Sequence, residues 1–203
     1  ETAITGDVAL AGSASSTSDA VVATSVTSGN TSTAMTDATG HYNVTNVSAD
    51  TAYVLSYYQS NGSGPGNPGV FPRDGSPDFY TLGRLDTGST TSMGTIQLPN
   101  GHVVNLSVVN ESGTPVSGAL VAVQHTTTRG ISSNTSQAGQ LFTTAADGDI
   151  HPNSSVPGLE LAGNVTVAVV PPKQLSYKQD GVSSSGDYVS KTYTTNLSVS
   201  SDE

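Results

Sequence analysis

Thr36-Asp37-Ala38-Thr39-Gly40-His41-Tyr42-Asn43-Val44, followed after a short gap by Ala52-Tyr53-Val54-Leu55-Ser56-Tyr57, decides the fold. The first stretch is a turn feeding an alternating segment. Asp37 and Gly40 suit a turn with one left-handed backbone position, after which Tyr42 and Val44 share one face and Asn43 the other. The second stretch is rich in residues that fit a pleated, half-buried surface. Working outward, the same alternation between turn residues predicts strands near Ile4–Leu10, Ala20–Val26, Thr31–Thr36, His41–Val47, Ala52–Tyr58, Phe79–Leu85 and Thr91–Leu98. It continues near Val103–Val109, Ala119–Gln124, Gln137–Thr143, Leu159–Val170 and Tyr188–Ser200. Asn61 to Ser76 is a Gly/Pro/Asn loop that cannot join a ladder. No stretch keeps uninterrupted helical spacing, so the expected class is all-β. A length of 203 residues fits two tandem β-sandwiches of about 100 residues each. Leu98-Pro99-Asn100-Gly101 marks the break, giving domains 1–99 and 100–203, and so short a junction implies stiff end-to-end coupling.

Two local patterns carry a resemblance. The Thr36–Tyr57 region resembles the "T-D-x-x-G-x-Y" core of carboxypeptidase regulatory-like domains. Val108-Val109-Asn110-Glu111-Ser112-Gly113-Thr114-Pro115-Val116-Ser117-Gly118-Ala119 is similar to the first hairpin of the same family. The resemblance implies immunoglobulin-like or transthyretin-like sandwiches. Such modules serve as spacers, stalks, adhesin domains and fibre subunits, so it says little about function. The second unit departs from the pattern after Gln124.

Composition then excludes partners. Six basic residues against sixteen acidic ones leave a net charge of −10, too few cations to neutralise a run of phosphates or anionic headgroups. Nucleic acid is therefore not expected, and no run of 18 apolar residues predicts membrane insertion. Few Lys, excess Asp and 23 Val against 4 Ile resemble secreted haloarchaeal proteins; an acid-living archaeon is the alternative. With no Cys, neither disulfides nor thiolate chemistry can arise, and the sandwiches must hold by core burial or association.

The strongest single signal lies in the asparagines. Ten of twelve open an Asn-X-Ser/Thr sequon: Asn30, Asn43, Asn46, Asn61, Asn105, Asn110, Asn134, Asn153, Asn164 and Asn196. Ser and Thr make up 28% of the chain, so chance would give only about three. N-linked glycans are the expected partners. Strand parity agrees, since Asn43, Asn105, Asn164 and Asn196 each oppose the apolar phase of their segment.

Catalytic signals are absent from the sequence, and no enzyme, cofactor or metal site is expected. His41, His102, His125 and His151 lack metal-site spacing, and each is expected on the surface. Asp147 and Asp149 are loop carboxylates that could hold a cation, but further EF-hand-type ligands are missing. Related surface domains sometimes carry Lys–Asn isopeptide bonds. Lys173, Lys178 and Lys191 all fall late, so none can brace the first unit. The expected function is a structural subunit of an extracellular surface assembly, a pilus-like filament of identical copies joined head to tail. Strand complementation would join them, with Ile4, Val8 and Leu10 on one face of an N-terminal donor and Tyr188–Val199 as the rival donor. The alternative is an adhesin or stalk module of a larger cell-surface protein. An accessory domain of a secreted enzyme is the third reading.

Overall fold

The alternating segments pair into two layers around each of two apolar clusters. The computed structural model describes residues 2–10, 18–60, 75–88, 91–127, 138–152, 158–172 and 193–199, with side chains on the last strand described only at Ser198. Among these residues there are thirteen strands and no helix. The protein is all-β.

In the first half, β1 (Thr2–Ala9), β4 (His41–Val47) and β7 (Ser92–Gln97) form a sheet ordered β4-β1-β7. β1 runs antiparallel to β4 and parallel to β7. Opposite it lies a four-stranded antiparallel sheet, β3-β2-β5-β6, made of β2 (Ala20–Ser25), β3 (Thr31–Met35), β5 (Ala52–Tyr58) and β6 (Phe79–Asp86). Ile4, Val8, Tyr42, Val44 and Ile96 from one sheet meet Val21, Leu55, Tyr57 and Leu82 from the other. Gly6 sits between Ile4 and Val8 on the inward face, where the Tyr42 ring lies so close that a Cβ would clash. The small residue leaves the space that Tyr42, the largest side chain in that sheet, occupies.

Buried polar groups fasten the corner between the layers. The Asp19 backbone N–H donates to Thr36 Oγ1 at 3.0 Å, and the Tyr57 hydroxyl donates to Asp19 Oδ2 at 2.8 Å. All three residues are buried, so these bonds cannot be exchanged for water without cost.

In the second half, β8 (His102–Val104) pairs with β11 (Leu159–Leu161). The facing sheet is β10-β9-β12-β13, built from β9 (Leu120–Thr126), β10 (Gly139–Thr143), β12 (Gly163–Val170) and β13 (Tyr193–Val199). Two expected strands are corrected here. Leu159–Val170 divides at Ala162, because Gly163 adopts φ 67° and swings the chain from one sheet to the other. Val103–Val109 stops at Val104. Beyond it the ladder gives way to isolated bridges, Ser107 to Asp149 and Val109 to Pro115: Ile150 N–H donates to the Leu106 carbonyl, Val108 N–H to Gly148 and Val116 N–H to Val108.

The halves are joined by more than the link at residues 98–101. Phe79 of β6 is buried in the second cluster, with Tyr58 packed beside it. Asp78 N–H donates to the Glu160 carbonyl at 2.7 Å, and Glu160 N–H returns a bond to Asp78 Oδ2 at 2.8 Å. Thr81 N–H donates to His125 Nδ1 at 3.0 Å, while the Thr81 hydroxyl donates to the His125 carbonyl at 3.1 Å and accepts from Ala138 N–H at 2.9 Å.

Candidate functional site

Three features define what the surface can do: the sequon asparagines, the first strand and a family of tight turns. Asn30, Asn43, Asn46, Asn105 and Asn164 are exposed, and Asn110 is half-buried. Asn196 lies in β13, where the backbone register sets it opposite Thr166. Asn61, Asn134 and Asn153 lie outside the described residues.

Asn46 reaches solvent by a local device. Tyr42, Val44 and Asn46 share a parity, so a regular strand would turn Asn46 into the core. Instead Asn46 adopts φ 59°, and the ladder to β1 slips by one residue between the Thr2–Val47 and Ile4–Val44 pairs. The bulge presents Asn46 outward and gives Val47 the buried place. Asn tolerates the left-handed region better than other side-chain-bearing residues.

Asn110 is held differently. Asp37–His41, Asn110–Thr114 and Ala145–Asp149 adopt one turn: the first N–H donates to the fifth carbonyl, and the N–H of the fourth, a glycine at positive φ, donates to the first carbonyl. Asp37 Oδ1 accepts from Thr39 N–H, Thr39 Oγ1 and His41 N–H, which together hold its carboxyl below the usual range, the Thr39 hydroxyl contributing most. Asn110 Oδ1 accepts the equivalent three bonds from Ser112 N–H, Ser112 Oγ and Thr114 N–H. Asn110 therefore has a turn-capping role whether or not its sequon is used.

The third turn brings Asp147, Asp149 and His151 together, with donor atoms within 4.8 Å of one another. His151 Nε2 lies 2.8 Å from Asp147 Oδ2, and Ser107 Oγ donates to Asp149 Oδ1. Asp147 also accepts from Asp149 N–H, and these bonds hold its carboxyl low. The cluster fastens its own turn.

Of the histidines, His41 pairs with Asp7 at 2.9 Å on the surface, but His125 does not lie where expected. It is buried at the joint, stacked on Tyr80 with centroids 3.9 Å apart, and desolvation lowers its pKa to about 4. The parity of Val121, Val123 and His125 on β9 carried that signal.

The proposed donor side chains lie at home. Ile4 and Val8 are buried in the chain's own core and Leu10 packs against it, with β1 paired along both edges. Among the described residues β13 is an edge strand, paired to β12 alone. Moving β1 would break two ladders; moving β13 would break one. Lys173, Lys178 and Lys191 lie outside the described residues.

No family model matches the sequence, and no curated protein matches it. Solved structures with some likeness include a variant of the shaft pilin SpaA of Lactobacillus rhamnosus GG, 14% identical, covering 99% of this chain and 96% of that one, with a TM-score of 0.30. A leucine-rich repeat protein of Bacteroides thetaiotaomicron is 13% identical, covering 99% and 25%, with a TM-score of 0.29. A protein assigned to cell adhesion in Bacteroides ovatus is 11% identical, covering 96% and 84%, with a TM-score of 0.27. At such scores the likenesses carry no functional argument.

Proposed function

We propose that the chain is a structural subunit of an extracellular, N-glycosylated surface assembly, a filament of like copies in the manner of a pilus. The observation that carries this reading is the density of sequons combined with their placement. Five of the six sequon asparagines with described side chains are exposed, one of them by way of a backbone bulge. The turn at Asp37–His41, feeding Tyr42 and Val44 into the core, supports the carboxypeptidase regulatory-like reading of the first unit. The acidic composition supports a high-salt exterior.

Strand complementation is the proposed joint. Because β1 completes its own sheet, joining by this strand means exchanging it for the equivalent strand of a neighbour, with Ile4 and Val8 regaining the same burial. A second reading, an adhesin or stalk module, is favoured by this same self-completed sheet, since such a module needs no neighbour. A cysteine pair separates the two. Asp7 and Thr95 face each other across the β1–β7 ladder, with side-chain oxygens 3.5 Å apart, and the chain has no cysteine of its own. Oxidised Asp7→Cys/Thr95→Cys protein, examined by electron microscopy and non-reducing electrophoresis, should give filaments crosslinked into covalent ladders. Filaments that dissolve to internally bridged monomers would rule out exchange of β1, and dispersed particles under all conditions would rule out the filament.

A further inference from the structure

The outer face of the β10-β9-β12-β13 sheet is divided along its length. Cross-strand register lines up Thr143, Leu120 and Val170 in one row, and Leu141, Ala122 and Ala168 in the next. Leu141 is 61% exposed, Leu120 41% and Val170 36%, three of the five large apolar side chains left exposed among the described residues. The rows at the other end are polar: Gly139, Gln124 and Thr166, then Thr126 and Asn164. Both sequons on this sheet fall at that polar end, since the register sets Asn196 opposite Thr166 and Asn164 opposite Ser198. The inward face is already spent on the core, through Val121, Val123, Phe142, Val165 and Val167.

From this division we infer that the apolar end, centred on Leu141, Leu120 and Val170, is a contact surface for a second copy of the chain. Charge selects that occupant. The chain carries a net charge of −10, so bringing two copies into contact sets carboxylate against carboxylate over much of their surfaces. Salt screens that cost at long range and far less once the charges are buried together. None of the residues in these four rows is charged, which makes this a face on which an acidic chain can approach itself without opposing carboxylates. The sequon-free end also leaves room for it, whereas glycans at Asn164 and Asn196 would hold a partner away from the other. Two strand rows across a four-stranded sheet cover roughly 250 Å² per copy, from the usual strand and residue spacings. That is small for a lone dimer and suits a contact repeated along an array.

The inference rests on the reading of the chain as an assembling subunit, and the test keeps the two apart. Leu141→Glu places a charge at the centre of the patch. Leu141→Asn completes an acceptor with Thr143, so that a glycosylating host can add a sugar there, with occupancy read by mass. The concentration at which glycosylated protein begins to assemble should rise by about tenfold or more for either variant, while the monomer's melting temperature stays that of the parent. Variants that assemble like the parent would overturn the contact and leave the subunit reading intact. A lowered monomer melting temperature with unchanged assembly would show that one chain covers the patch by itself, again overturning the contact. Parent protein that never assembles would overturn both.

Discussion

Acidification from pH 7 to pH 4 should loosen the joint between the two halves through one residue. His125 is buried, its Nδ1 accepts the Thr81 N–H at 3.0 Å, and its ring stacks on Tyr80. Nδ1 can accept only while unprotonated, so the folded state holds the neutral ring with its proton on Nε2. Desolvation lowers the pKa from 6.5 to about 4. The unfolded chain takes up the proton near pH 6.5 and the folded chain resists until about pH 4. The stabilisation is therefore complete above pH 6.5 and is lost as pH falls through that window. At about 1.4 kcal/mol per pH unit, the full loss over about 2.5 units is about 3.5 kcal/mol, of which about 3 kcal/mol is lost by pH 4. Urea unfolding between pH 3.5 and 8 reads it, with His125→Asn as the reference: its amide oxygen can take the Thr81 N–H but nothing titrates. The parent should be the more stable protein at pH 7.5, and the gap should close by about 3 kcal/mol at pH 4. A gap that stays constant with pH would refute the assignment. Asp37 and Asp147 act in a lower window, since their depressed carboxyls give stability that is lost only as pH falls below the ordinary Asp range.

Three substitutions test the local accounts by thermal or urea unfolding. Asn46→Val forces a β-branched side chain into φ 59° and should cost about 1–3 kcal/mol, while Asn46→Gly should cost little; equal effects would remove the bulge argument. Tyr57→Phe removes the donor to Asp19 Oδ2 and should cost about 1–3 kcal/mol; a neutral result would mean that other donors fully satisfy the buried carboxylate. Gly163→Ala places a Cβ at φ 67° and 3.3 Å from His125 Nε2, so it should destabilise by about 1–2 kcal/mol and also shift the pH profile of the joint; loss of stability without that shift would separate the hinge from His125.

The first half was legible because its strands follow one period between clear turns. His41–Val47 and Ala52–Tyr58 begin and end where alternation and Gly, Pro or Asn punctuation set them. The second half was less so, for identifiable reasons. Leu159–Val170 reads as one apolar run, and nothing in its pattern except Gly163 marks the point where the chain changes sheets. Val103–Val109 keeps its alternation, but its backbone groups are taken by residues 115–116 and 148–150, a pairing that period alone cannot reveal. At the sequons, parity placed Asn43, Asn105 and Asn164 outward correctly, yet would have sent Asn46 inward, because a bulge has no signature in a period of two. His125 was misplaced by treating histidine as a surface type instead of following its parity with Val121 and Val123. The apolar end of the outer sheet needed the register itself, since Leu120, Leu141 and Val170 are distant in sequence.

Glycopeptide mass spectrometry on protein purified from its native cell surface tests the central claim most directly. Peptides containing Asn30, Asn43, Asn46, Asn105 and Asn164 should carry glycan masses at high occupancy. Unmodified asparagine at all five would contradict the account of this chain as a sugar-coated exterior subunit.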